Sequence, residues 1–288
     1  MTATIGDPGA SPLEATAAAA PRARVEGRAA ALLLAALVTA ALAAPMLAPY
    51  APEQLDLDRR REAPSAAHWF GTDELGRDVL ARVLYGARIS LAVGLLSAAV
   101  AGASGVAVGG IAGYMGGPID AVLMRGTDAM LAVPRLPLLM IAASVLQPSV
   151  PLLVLLIGLA GWMETARVVR AEFATLRGRG FVENARAAGA GHARIIGAHL
   201  LPNAAHVVIV SLTLAVARGI LLESALSFFG VGVRPPAASW GNMLYQAQST
   251  LGSEPWLAIA PGAFILLTTI SVSMIGDALA EQSVARRL

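Results

Sequence analysis

Residues Glu183–Asn203 read ENARAAGAGHARIIGAHLLPN, a polar, arginine-bearing stretch rich in small residues, with a long apolar run on each side. Such a segment cannot lie in hydrocarbon, where every unsatisfied backbone N–H or C=O is costly. It is expected as a surface loop between two membrane spans. Glu183 and the small residues after it suit a short helix, and Gly189 supplies a left-handed stop. A second short helix rich in Ile and Leu follows, and Pro202 is expected to close it. A membrane protein that holds a rigid two-helix elbow at its surface is expected to hold it for another protein.

Working outward, a span needs about 20 apolar residues to cross about 30 Å of hydrocarbon. Windows at 29–49, 88–114, 119–147, 150–170, 205–230 and 256–279 meet that test. The chain has 288 residues, 56% hydrophobic and 14% charged, against about 25% charged in a soluble domain. The fold class is therefore all-α and polytopic, with six transmembrane helices. The expected organisation is a disordered tail over 1–28, then a first span and outer loop over 29–87. A five-helix core over 88–280 holds the 172–203 elbow loop, and a tail over 281–288 follows. Arg22, Arg24 and Arg28 resemble the n-region of a signal peptide, but the apolar run is span-length and more spans follow, which favours an uncleaved anchor.

An even number of spans puts both termini on one side. Arg167, Arg170, Arg177, Arg179, Arg186 and Arg194 around the elbow, with Arg22, Arg24, Arg28, Arg286 and Arg287 in the tails, place that side in the cytoplasm. Arg59, Arg60, Arg61, Arg77 and Arg82 in the first loop argue the other way. The loop is long and the elbow is the denser cluster, so the orientation is kept.

There is no cysteine, which excludes disulfides and thiolate chemistry. All basic residues are arginine; without lysine no phosphate-cradling P-loop can form, so nucleotide hydrolysis by that route belongs elsewhere. No nucleophile–base pattern or paired carboxylates stand out, and the chain is not an evident enzyme. His192, His199 and His206 recur every seven residues, but Gly197 and Pro202 argue against one continuous helix, and no metal site is expected.

Arg218 and Glu223 are opposite charges well inside a span. Five residues apart, they are poorly placed for a direct bridge, and each is expected to face a separate neighbour, in a structural or a pathway role. Arg125 and Asp128 read as an interfacial pair. Gly105, Gly109, Gly113 and Gly117 form a side-chain-free strip on the second span, suited to close helix packing or to a moving contact. Pro134 and Pro137 predict a break in the third window. Residues 72–86, TDELGRDVLARVLYG, predict an amphipathic helix capped by Thr72 or Asp73, with an apolar stripe of Leu75, Val79, Leu80, Val83 and Leu84. Asp73–Arg77 and Asp78–Arg82 would be ion pairs along it, and the helix would lie on the membrane interface or cover the bundle mouth. Trp240, Tyr245 and Trp256 would form an aromatic belt or pack inside the last outer loop.

These residues together resemble the ABC-importer permeases. The elbow is similar to their "EAA" loop at Glu183, Ala185, Gly189, Ile195 or Ile196, and Leu201–Pro202, departing at Asn184. HWFGTDELGRDVLARVLYGARISL (68–91), ESALSFFGVG (223–232), PPAASWGNML (235–244), PG (261–262) and IGDAL (275–279) resemble blocks of the dipeptide/oligopeptide/nickel importer permeases, C-type subunit. The resemblance implies a type I permease fold in a bacterial inner membrane, multi-pass, with both termini cytoplasmic. It implies a heterodimer with a B-type permease, two cytoplasmic ATPases and an extracytoplasmic substrate-binding protein. No cofactor is bound directly; ATP would sit on the partner ATPases. Ala185, Ala188 and Gly189 would seat the elbow closely on its ATPase. The substrate implied is a di- or oligopeptide, with nickel or another small solute as the alternative. An ion-coupled secondary transporter is the rival outside the family.

Overall fold

The computed structural model describes residues 12–285, with side chains over 25–282. Helix α1 (Pro12–Leu42) opens the described chain and is followed by one turn, α2 (Ala44–Leu47). Of the tail expected to be disordered, residues 1–11 lie outside the described residues. From Pro12 the chain is helical without interruption into the first span. The run Ala17–Ala20 accounts for this, alanine having the highest helix propensity.

The second span, α3 (Val79–Met115), is 37 residues long. It absorbs the second half of the expected amphipathic helix, and its first half is not helical. Asp73 Oδ1 accepts from the N–H groups of Leu75 at 2.9 Å and Arg77 at 3.0 Å. Gly76 takes φ +73°, and Thr72 and Asp78 face each other across an antiparallel bridge. An Asp that bonds its own downstream backbone gives the chain an alternative to helix. The helix starts only at Asp78, whose Oδ1 accepts from Ala81 N at 2.7 Å as an N-cap. The stripe Val79, Leu80, Val83 and Leu84 is buried within the protein, so it does not lie flat on an interface.

After α3 the chain forms α4 (Gly117–Leu131) and α5 (Arg135–Leu146), bent by 78°. Pro134 stands at the break and Pro137 falls in the first turn of α5, where its missing N–H is harmless. Next come α6 (Val150–Leu159) and α7 (Trp162–Leu176), bent by 43° at Ala160–Gly161. Helix α8 (Gly180–Ala187) and the short α9 (His192–Arg194) lead through a π turn (Ile195–Leu200) into α10 (Leu201–Phe228). Helices α11 (Trp240–Ala247) and α12 (Trp256–Ala285) complete the chain. Among the described residues, 4 helices are long and apolar enough to span a membrane, and the two bent pairs bring the number to 6.

Helix α3 is the hub, packed along α7, α10 and α6, while α12 packs on α1 and α10. Glycines make the α3–α7 approach possible. A Cβ on Gly105 would stand 2.6 Å from Thr165 Cβ, one on Gly109 would strike the Ala166 backbone, and one on Gly113 would stand 2.5 Å from Arg170 O. Gly117 does not continue the strip. It lies beyond the end of α3, at φ +57°, with nothing within 4 Å of its missing Cβ.

Between α10 and α12, Trp240 is fully buried and its Nε1–H donates to Val83 O at 3.1 Å. Tyr245 is exposed. Packing inside the loop therefore accounts for Trp240.

Candidate functional site

The elbow is a capped helix riding on a small core. Helix α8 ends in a Schellman motif: Ala190 N–H donates to Ala185 O at 3.0 Å and Gly189 N–H to Arg186 O at 2.9 Å, with Gly189 at φ +80°. Its underside is apolar. Val182, Ile195, Leu200 and Ala204 are buried in one cluster with Tyr114, Val169 and Phe173, and Ala185, Ile196 and Leu201 pack against it. The elbow is thereby fastened to the ends of α3 and α7. Tyr114 adds polar ties: its hydroxyl lies 2.9 Å from His192 Nδ1, and the Arg186 guanidinium carbon lies 5.2 Å from its ring centroid.

The other side is bare. Glu183, Ala188 and Gly189 are exposed, and Gly189, Gly191 and Gly197 have nothing within 4 Å of a would-be Cβ. A small-residue tip of this kind lets a partner's backbone approach closely.

Pro202 does not close the second half of the elbow. The chain is helical from His192 to Phe228, continuous across Gly197 and Pro202. The π turn makes this possible: Leu201 N–H reaches Ile196 O, five residues back, so one turn is widened just where proline lacks its N–H and crowds the preceding carbonyls. The elbow's second arm is therefore the root of the fifth span, with no hinge between them.

Arg218 and Glu223, both on α10, face different neighbours. Arg218 Nη1 lies 2.7 Å from Glu164 Oε2, and Arg135 Nη2 donates to Glu164 Oε1 at 2.9 Å. Glu223 is fully buried and accepts from Ser90 Oγ at 2.9 Å and Ser227 Oγ at 2.8 Å. Those hydroxyls in turn accept from the N–H groups of Trp240 at 3.2 Å and Val233 at 3.0 Å. Glu223 thus holds two points of the segment after α10 through two serines.

Asp128 pairs with Arg167 at 2.5 Å rather than with Arg125, and Asp120 pairs with Arg170 at 2.5 Å, because α7 lies beside α4. Around the start of α3, sequence reading missed a buried polar knot. Arg77 Nε donates to Asp73 Oδ2 at 2.7 Å, the expected pair. Arg82, however, also turns to Asp73 at 3.5 Å, while Asp78 Oδ2 takes His68 Nδ1 at 2.9 Å. Gln246 Oε1 accepts from Arg82 Nη2 at 3.2 Å. The spacing Asp73…Gly76, a turn signature, was the signal for it. Several arginines that argued against the orientation are paired here: Arg77 and Arg82 with Asp73, Arg61 with Glu254 at 3.6 Å and Arg59 with Asp56 at 3.8 Å.

Residues 105–287 match the model of the family described as binding-protein-dependent transport system inner membrane component. The chain belongs to that family of transport permeases. Its relatives include a Brucella suis protein that carries a peptide-permease name, 42% identical over 87% of this chain and 83% of the relative. A dipeptide transport system permease of Bacillus subtilis is 38% identical over 85% of this chain and 77% of the relative. An oligopeptide transport system permease of the same organism is 34% identical over 87% and 82%. The permease is a multi-pass inner-membrane subunit of an ABC importer, a class that works with ATPase subunits and a substrate-binding protein. Family membership removes the ion-coupled secondary transporter from consideration.

Proposed function

We propose that this permease is one half of the membrane channel of a di- or oligopeptide importer and that its elbow receives the stroke of a cytoplasmic ATPase. The observation that carries the coupling role is the elbow's construction. Its bare face offers Ala188 and Gly189, its apolar face is locked to Tyr114 and Phe173, and its second arm runs unbroken into α10. A push on the tip would move the fifth span and the inner ends of α3 and α7 together. The peptide substrate is supported by the names of relatives that span most of the chain.

In this reading both termini and the elbow are cytoplasmic, which the dense arginine cluster around the elbow supports. A second, B-type permease completes the channel. Two ATPases bind and hydrolyse ATP, no cofactor sits on this chain, and a binding protein delivers peptide from outside. Glu183, Ala185, Ala188 and Gly189 form the seat, with Ile195, Ile196, Leu201 and Pro202 joining it to the span.

The absence of native cysteine gives a clean test. In the assembled transporter, Ala188→Cys should react with membrane-impermeant maleimide only from the cytoplasmic side and crosslink to a single-cysteine ATPase. Labelling from outside, or no crosslink to the ATPase, would overturn the coupling role.

A further inference from the structure

We infer that Arg135 and Arg218, which grip Glu164 between them, form a station in the translocation pathway that takes the free carboxylate of a passing peptide. This rests on the peptide-importer reading above and assigns the part of the substrate that the site would hold.

The cluster joins three elements, two of them at breaks in their spans. Arg135 is the first residue of α5, directly after the 78° break. Glu164 is in the first turn of α7, directly after the 43° bend. Arg218 comes from α10. With a rise of about 1.5 Å per residue, Glu164 stands about 18 Å along α7 from Leu176, and Arg218 about 26 Å along α10 from Leu201. The charges therefore sit well within the span. At that depth a charged side chain turned to lipid is costly, and such groups face a polar cavity or another protein surface. In a channel built from two permeases, the surface shared by the two halves is the wall of the pathway.

The cluster is open. Side-chain exposure is 21% for Arg135, 36% for Glu164 and 39% for Arg218, in contrast to Glu223, which is fully buried among serines. It is also unbalanced. Two guanidiniums share one carboxylate, leaving one positive charge in excess, whereas Asp120–Arg170 and Asp128–Arg167 on α4 and α7 pair one to one. Each guanidinium meets Glu164 through one terminal nitrogen at under 3 Å, so each planar fork keeps further donors outside that contact. That fork matches a carboxylate in geometry as well as charge. The anionic group that every unmodified peptide carries is its C-terminal carboxylate. Glu164 competes for the same donors, so the incoming group would be held briefly and released, as passage requires.

The test uses the complete transporter in proteoliposomes, with its binding protein saturated by one of two peptides, identical except that the second ends in a carboxamide. Saturation removes differences in the binding protein's own affinity, and import per loaded complex is read. The wild type should import the free acid about tenfold faster than the amide, the size of effect a charge-assisted hydrogen bond gives. Arg218→Gln should bring the two rates together by slowing the acid alone, and Arg218→Lys should keep part of the preference. Equal slowing of both peptides in Arg218→Gln, or an unchanged ratio, would overturn the station and leave a structural tie. Failure of the wild type to import either peptide, while its ATPase still runs, would instead overturn the peptide reading itself.

Discussion

The hydroxyl of Tyr114, one residue from the end of α3, lies 2.9 Å from Nδ1 of His192 at the start of the elbow's second arm. One side chain therefore links the second span to the root of the fifth, and its ring also lies under Arg186 at 5.2 Å. Tyr114→Phe removes only the hydroxyl and should cost about 1 kcal/mol. Tyr114→Ala empties a site that is 3% exposed and should cost about 3–5 kcal/mol, the range for large core truncations. Thermal unfolding of the detergent-solubilised complex would rank the two. If the tie transmits force, Tyr114→Ala should also lower peptide imported per ATP hydrolysed.

The glycines of the second span should not behave alike. Gly109→Val would drive a side chain into the Ala166 backbone and separate α3 from α7, so the protein should fail to accumulate in the membrane. Gly117→Asn should be tolerated, since nothing lies within 4 Å and asparagine accepts a positive φ. Membrane levels of the two variants by immunoblot check this contrast.

What could be read from the sequence followed from local chemistry. The spans were visible because each is a long, mostly apolar window, and the break before α5 because Pro134 announces it. The bend at Gly161 was not, since no proline marks it and glycine in a span is common. Residues 72–78 look helical in sequence because the apolar stripe from Val79 to Leu84 extends backward in period, while the turn bonds of Asp73 decide the backbone. Pro202 reads as a stop in sequence because the π turn that absorbs it has no sequence signature. Glu164 carries no local signal for a different reason. Its partners are Arg135 and Arg218, one on the chain before it and one far after, and only the packing of α5, α7 and α10 brings them together.

Glu223 should matter to stability through the segment that joins α10 to α11. Its carboxylate receives Ser90 and Ser227, which hold the N–H groups of Trp240 and Val233. Glu223→Ala leaves two buried hydroxyls without an acceptor, at about 1–3 kcal/mol for each unsatisfied group. Glu223→Gln keeps an acceptor oxygen and should lose less. The measurement is the unfolding temperature of each variant; equal values for Ala and Gln would show that the side chain's acceptor is not what the loop needs.

Gly189 separates two explanations of the elbow's small residues. Its φ is +80° and a Cβ there would meet nothing within 4 Å, so inside this chain the only penalty for a side chain is conformational. Asparagine adopts this region far more readily than a β-branched residue. If the Schellman stop alone matters, Gly189→Asn should transport almost as the wild type does and Gly189→Val should fail, with both reaching the membrane normally. If an ATPase also packs against the bare glycine, Gly189→Asn should keep its fold and membrane level yet lose ATPase co-purification, because the added side chain occupies the space the partner's backbone would take. Uptake, membrane level and ATPase recovery measured together distinguish the two. Wild-type behaviour of Gly189→Val in all three would contradict both.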